Sequence, residues 1–326
     1  MDKLKTFLFE NRAFSLSLLN LVLVLFIFFV NDPFSLFVQT YEKAEPFFKV
    51  KAASIESIKI EKADEEIKLF TLQKKGSTWL VEVNSKTLLA NGTRAEALVD
   101  SLLKARKFTE VSSSKEKASE YGFNSGSIKI TVNTNNTLHL GSVKTGSNFT
   151  HVKQNESDRI FLVEDNLKSI AGRGKFDFFL DKNLSPAGTK NEEINKIIFR
   201  QEGKKGVSYK LELSDKNWKL LLPKTGEIPS SEMTAILSRI SGLEADSIEL
   251  NDDYKANLDE TFKASLQYSK KKEKTGSMML SFSILGKHKK ENHFYVQKEG
   301  SDTVYRLSEF KCKYFYELQP EEKIKK

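Results

Sequence analysis

Ile55-Glu-Ser-Ile58-Lys-Ile60 and Ile194-Asn-Lys-Ile197-Ile-Phe199 are two versions of one stretch, and each is followed at the same distance by a tryptophan, Trp79 and Trp218. Both pairs are 139 positions apart (55 to 194, 79 to 218), without a gap, and the chain has only these two tryptophans. Phe70 and Tyr209 agree at that offset, as do Leu72 and Leu211. Coincident landmarks at one period are the signature of an internal duplication.

Working outward, each copy alternates apolar and polar residues around its tryptophan, as at Ile67/Leu69/Thr71, which is the period of a half-buried strand. A helix follows. In the first copy Thr93-Arg-Ala-Glu96 reads as a capping box ahead of Leu98, Val99, Leu102 and Leu103. In the second, Pro229-Ser230-Ser231 opens a helix with Ile236, Leu237 and Ile240 on its inner stripe. Strands then return. Ile128/Ile130/Val132, Leu138/Leu140-Gly141, Phe149–Val152 and Ile160–Val163 are answered by Phe262–Leu266, Met279–Gly286, Phe294–Val296 and Val304-Tyr305. Gly141 and Gly286 end equivalent strands on this reading, and Ser157-Asp158 and Ser301-Asp302 mark equivalent turns. Asn166–Ala171 closes the first copy with a short helix or turn. The expected class is therefore α+β: two duplicated, mainly antiparallel units, each with its helix between strands 3 and 4. Whether the copies share one continuous sheet is open at this level.

The N-terminus differs in kind. From Ala13 to Asn31 no side chain is charged. As a helix this stretch covers roughly 28 Å, close to the thickness of a bilayer's hydrocarbon core. A cleaved secretion signal is the alternative, but the apolar run is long and exits through Val30-Asn31-Asp32-Pro33 without a small-x-small site. Phe34, Phe37 and Tyr41 suit the far interface, and Lys3, Lys5 and Arg12 favour a cytoplasmic N-terminus. The layout expected is a cytoplasmic N-terminus (1–12), a transmembrane helix (13–31), a juxtamembrane linker (32–49), repeat domains at 50–188 and 189–320, and a basic tail (321–326). Such a protein is single-pass, with its globular body outside the cytoplasm. One cysteine, Cys312, is compatible with either compartment. The sequons at Asn91, Asn135, Asn148, Asn155 and Asn183 are read as coincidence in a chain rich in Asn, Ser and Lys.

Several of these segments together resemble a bacterial family, domain of unknown function 4340. They are the Ile-rich first strand, Lys75-Gly76-x-x-Trp79, the helix at Thr93–Arg106, Glu120-Tyr121-Gly122-Phe123, and Leu138-x-Leu140-Gly141 with Ile160-Phe161-x-Val163. The second copy follows the pattern more loosely and lacks the Tyr-Gly-Phe element. The family's closing segment is only partly echoed by Phe176–Leu184. The resemblance implies a membrane anchor and an accessory role beside ABC exporter components of the gliding-motility type. It carries over no catalytic residue.

Signatures of chemistry are sparse. His139 and His151 fall on adjacent strands of copy one, and His288 and His293 on a comparable hairpin of copy two. Neither pair has the third ligand and short fixed spacing that zinc requires. No Gly-x-Ser-x-Gly and no phosphate-binding Gly-x-x-x-x-Gly-Lys-Ser/Thr loop is present. Gly172-Arg-Gly-Lys175 is read as a turn, with an anion nest as the alternative. Asp64-Glu65-Glu66 and Asp252-Asp253 are read as solvated turns. Cys312 sits in the alternating run Phe310-Lys-Cys-Lys-Tyr314, which reads as a strand with the thiol on its core face. Trp79 and Trp218 are read as core residues rather than a ligand platform. No catalytic, cofactor-binding or metal-binding residue is assigned, and no cofactor is expected.

The 52 Lys and Arg against 44 Asp and Glu give a formal charge of +8. Lys270, Lys271, Lys272 and Lys274, with Lys287, Lys289 and Lys290, are expected at neighbouring hairpin tips, where they could meet anionic lipid. Aromatics for base stacking are not interleaved with them, so no nucleic acid is expected. The function expected is a non-enzymatic, membrane-anchored scaffold or accessory protein, plausible beside an ABC-type exporter. The alternatives are an envelope hydrolase with a site at the seam of the repeats, or a ligand- or polymer-binding module.

Overall fold

The computed structural model describes residues 12–31, 43–186, 188–202, 208–272 and 276–324. The expected N-terminal segment before Arg12, the interfacial aromatics Phe34, Phe37 and Tyr41, Lys274 and the last two lysines lie outside the described residues. Within them the chain divides into two compact units, Met1–Thr71 with Glu96–Gly174, and Leu72–Ala95 with Lys175–Lys326.

The first helix, α1 (Arg12–Asn31), has Leu16, Leu18, Leu19 and Leu21 to Ile27 all exposed. Among the described residues no helix is long and apolar enough to cross a membrane.

After it come β1 (Ser57–Glu61), β2 (Leu69–Lys75), β3 (Thr78–Val83), β4 (Lys86–Leu89), α2 (Gly92–Lys104), β5 (Thr109–Ser112), β6 (Ile128–Val132), β7 (Asn136–Val143), β8 (Thr150–Gln154), β9 (Ile160–Val163) and α3 (Leu167–Ile170). The second series is β10 (Ile194–Gln201), β11 (Ser208–Ser214), β12 (Asn217–Leu222), β13 (Gly226–Ile228), α4 (Ser230–Ser241), β14 (Ser247–Ile248), β15 (Leu258–Asp259), β16 (Ala264–Lys272), β17 (Gly276–His288), β18 (His293–Lys298), β19 (Val304–Ser308) and α5 (Glu309–Glu317). They build two separate sheets, ordered β4-β3-β2-β1-β6-β7-β8-β9-β5 and β13-β12-β11-β10-β16-β17-β18-β19-β14, with β15 beside β17. Position for position the two orders are the same, so the duplication read from two tryptophans extends to the whole topology.

Strict alternation of burial, as in β1, β3 and β6, gives each strand one core face. The helices repeat it in their own period. Ala95, Leu98, Val99 and Leu102 are buried on α2, and Met233, Ile236, Leu237 and Ile240 on α4, at the same i, i+3, i+4, i+7 spacing.

Four expectations need correction. The helix of each copy lies between strands 4 and 5, because short hairpin arms, β4 and β13, intervene. In the first copy that arm is set by Asn84-Ser85, both left-handed (φ 46° and 62°), as a tight hairpin turn requires. The N-cap of α2 is Asn91, whose Oδ1 accepts from the Arg94 N–H at 3.1 Å, and not Thr93, which lies inside the helix. Gly141 and Gly286 do not end their strands. Each sits at a register irregularity within one, β7 or β17. Finally, Phe310–Tyr314 is helical, in α5. Cys312 and Phe315 share its buried face while Phe310 is 75% exposed, so the thiol is in the core by helical rather than strand periodicity.

Candidate functional site

Trp79 and Trp218 are the second residues of β3 and β12 and are 2% and 5% exposed. Their indoles are core, as expected, and offer no platform. Cys312 is likewise fully buried, and burial pushes its thiol above the ordinary value. The expected consequence is that a maleimide leaves the folded protein unlabelled and reacts stoichiometrically once denaturant opens the core. Labelling at equal rates in both states would contradict the buried placement.

The glycines within β7 and β17 organise the most elaborate local structure in each copy. At Gly141 the backbone carbonyl of Tyr121 comes so close that a Cβ would overlap it, with the Phe123 ring behind. Gly122 (φ +80°) presses back on Ser142. Ser142 Oγ donates to the Tyr121 carbonyl at 3.1 Å, and the Tyr121 ring stands edge-on to His151 at 5.0 Å. The Tyr121-Gly122-Phe123 element is thus a plug on a strand irregularity. In the second copy Leu258-Asp259 occupies the corresponding place over Gly286, pairing with Lys287 and His288 as β15. A different sequence performs the same packing, which is why its counterpart is invisible in the residues.

His139 and His151 lie on neighbouring strands, but each is held separately. His151 Nδ1 sits 3.1 Å from Ser142 Oγ and 3.0 Å from the Ser142 carbonyl. His139 Nε2 is buried and has no hydrogen-bond partner among the described residues. His288 and His293 do come together, with ring centroids 4.9 Å apart, beside Tyr295. His288 Nδ1 accepts from the Lys290 and Glu291 N–H groups. Among the described residues no group of three or more His, Cys, Asp or Glu is placed to hold a metal ion.

Burial lowers the pKa of His139, His151 and His293, and in His293 the nearby Arg306 and His288 lower it further. The folded state therefore resists protonation, and below the ordinary value of 6.5 the unfolded chain binds protons first. Stability should be level above about pH 7.5 and fall as the pH drops from about 7 towards 5. Denaturant midpoints across that range provide the measurement. A flat profile would contradict the burial of these rings.

A cavity of about 550 Å³ in the second compact unit is lined by Lys86, Glu249, Asn251, Asp252, Tyr254 and Thr303, among others. Glu249 is its one buried charge. Its Oε2 accepts from Arg306 Nε at 2.7 Å and from Arg306 Nη2, and its Oε1 accepts from the Asn251 N–H at 2.8 Å. Both carboxylate oxygens are engaged, so Glu249 is a structural anchor for β19 and the Asn251 turn, not a free base. Asp252 is exposed and pairs with Lys86 at 2.7 Å.

The remaining sequence candidates separate. In Gly172-Arg-Gly-Lys175 the residues 172–174 form a 3-10 turn with left-handed Arg173, directly after α3, as expected of a turn. Asp64 and Glu65 hold Lys62 at 3.2 and 2.9 Å. The lysine clusters are not neighbours. Lys270, Lys271 and Lys272 pair with Met278, Ser277 and Gly276 at the start of β17, whereas Lys287 is its penultimate residue and Lys289 and Lys290 follow its far end. A strand of 13 residues places those ends roughly 40 Å apart. Lys270 is spent on Glu193, Lys287 on Glu309, and Lys289 on the Ala256 carbonyl, each at 2.9 Å.

Residues 79–261 match the family model described as Domain of unknown function (DUF4340). No curated protein and no solved structure matches the chain.

Proposed function

The chain belongs to the DUF4340 family, and on that premise we propose that it is a non-enzymatic, membrane-anchored accessory protein whose tandem β-sheet body stands outside the cytoplasm and docks an envelope partner. The observation that supports this reading most is α1. Phe14, Leu16, Leu18, Leu19 and the run from Leu21 to Ile27 are exposed along the helix, and an apolar surface of that kind calls for a lipid or protein cover. As a helix the uncharged run from Ala13 to Asn31 comes close to the thickness of a bilayer's hydrocarbon core, although among the described residues no helix is long and apolar enough to cross a membrane. The Lys and Arg residues before it favour a cytoplasmic N-terminus.

An ABC-type exporter is the partner proposed, on the neighbourhood that the family implies. Two tandem sheets of one topology give it edge strands in duplicate, with β5 and β14 short at one edge of each. Anionic lipid is a secondary contact, made through one lysine cluster at a time because β17 separates them.

Cross-linking in intact cells, followed by detergent extraction and affinity recovery, tests the proposal. Recovery with a specific membrane protein supports it, and recovery solely as a monomer counts against it.

A further inference from the structure

The two copies differ at one end of the sheet's core face. In the first, residues 45–48 run alongside the segment after α2: the Phe47 N–H donates to the Ala105 carbonyl at 3.2 Å and the Lys107 N–H to the Glu45 carbonyl at 2.8 Å. In the second, the Leu184 N–H donates to the Leu243 carbonyl and the Ala245 N–H to the Lys182 carbonyl, both at 2.8 Å. Phe47 and Phe48 therefore correspond to Leu184 and Ser185. Where the first copy buries two phenyl rings, with Phe47 edge-on to Phe161 at 5.6 Å, the second has one isobutyl group and one hydroxymethyl.

Two further differences meet at the same place. The hairpin that ends with Val132 opposite Asn136 in the first copy continues in the second to Lys272 opposite Gly276, which adds Met278 as a wall, and Leu280 stands where the first copy has Asn136. Gln154, whose Nε2 donates to the Phe47 carbonyl at 2.6 Å, is replaced by Lys298; both residues accept the turn N–H of the following Ser-Asp pair.

The outcome is a cavity of about 380 Å³ lined by Ser185, Tyr268, Met278, Leu280, Phe282 and Lys298 among others. Lys298 is half-buried over the Tyr305 ring at 5.3 Å, and no carboxylate of the described residues is within ion-pair distance of it. Burial lowers its pKa, against an opposing pull from Asp181. The other charges in the lining are occupied: Asp181 Oδ1 accepts from Asn183 N and Nδ2, and Glu299 accepts from Ser281.

We propose that this cavity binds a small amphipathic carboxylate, Lys298 taking the carboxylate and Tyr268, Met278 and Leu280 the apolar body. The volume suits a ligand of about one aromatic residue. A free organic acid and the C-terminal residue of a peptide present the same chemistry.

Full-length protein in lipid nanodiscs, labelled at its methionine methyls, is titrated with 3-phenylpropionate, with 3-phenylpropanamide and with the tripeptide Ala-Ala-Phe. A saturable shift of Met278 is expected with the acid or the peptide, and the tighter of the two identifies the source. Lys298→Met should weaken the carboxylates about tenfold or more, the loss of one charge-assisted hydrogen bond, and leave the amide unchanged. Leu184→Phe should close the cavity to all three, with the buried Met233 methyl unmoved as evidence of an intact fold. No saturable shift at Met278, or carboxylate binding indifferent to Lys298→Met, would overturn the proposal.

Discussion

Replacing Trp79 by alanine lowers the stability of the fold by about 3–5 kcal/mol, and Trp218→Ala costs about the same. Both indoles occupy the second position of the third strand in their copy, and both are almost wholly enclosed. Trp218 stands opposite Leu213 on one side and Ile228 on the other, and Ala90 donates its N–H to the Trp79 carbonyl at 3.0 Å. Truncation leaves a void that strands pinned on both sides cannot close, so the transfer loss and the cavity add. Trp→Phe at either site should lose less than half as much. Denaturant unfolding of the four variants measures this. Alanine variants as stable as the parent would mean that the indoles face a ligand or solvent, and the duplicated core would lose its two landmarks.

Gly141→Ala and Gly286→Ala each destabilise by about 2–3 kcal/mol, the upper range for forcing an atom into packed structure. At Gly286 the new Cβ would lie 2.5 Å from the Asp259 carbonyl oxygen, and at Gly141 it would overlap that of Tyr121. Backbone, not a movable side chain, is in the way at both sites. Gly92→Ala is the matched control. It opens α2, a Cβ there meets nothing within 4 Å, and alanine favours the helix, so it should be neutral or slightly stabilising. If all three alanines behaved alike, the close approach of Tyr121-Gly122-Phe123 to β7, and of Leu258-Asp259 to β17, would be wrong.

The repeat and the main elements are legible in the residues because burial imposes a period that a reader can count. Ile128/Ile130/Val132 alternate because β6 has one core face, and Leu98, Val99 and Leu102 recur because α2 has one inner stripe. Short edges carry no such mark. In β5, Thr109-Glu-Val-Ser112, no residue is fully buried, and β13 has three residues in all. Periodicity also misleads over five residues. Phe310-Lys-Cys-Lys-Tyr314 alternates like a strand, yet the other buried residue of the helix beside Cys312 is Phe315, three positions on. The lysine clusters are adjacent in the chain but joined by the longest strand, so nearness in sequence becomes distance in space. The cavity at Lys298 was hidden for another reason. Its meaning depends on Phe47-Phe48 matching Leu184-Ser185, and those segments precede the recognisable repeat and are related only through backbone hydrogen bonds.

Fractionation tests the proposed role most directly. Cells expressing the full chain, and a version that starts at residue 43, are lysed and the membranes washed with alkaline carbonate. The full chain should stay in the pellet, with its body accessible to protease in spheroplasts, and the shortened one should be recovered in the soluble fraction. A full-length protein recovered in the wash, or shielded from protease on the cytoplasmic side, would contradict a membrane-held scaffold facing the envelope.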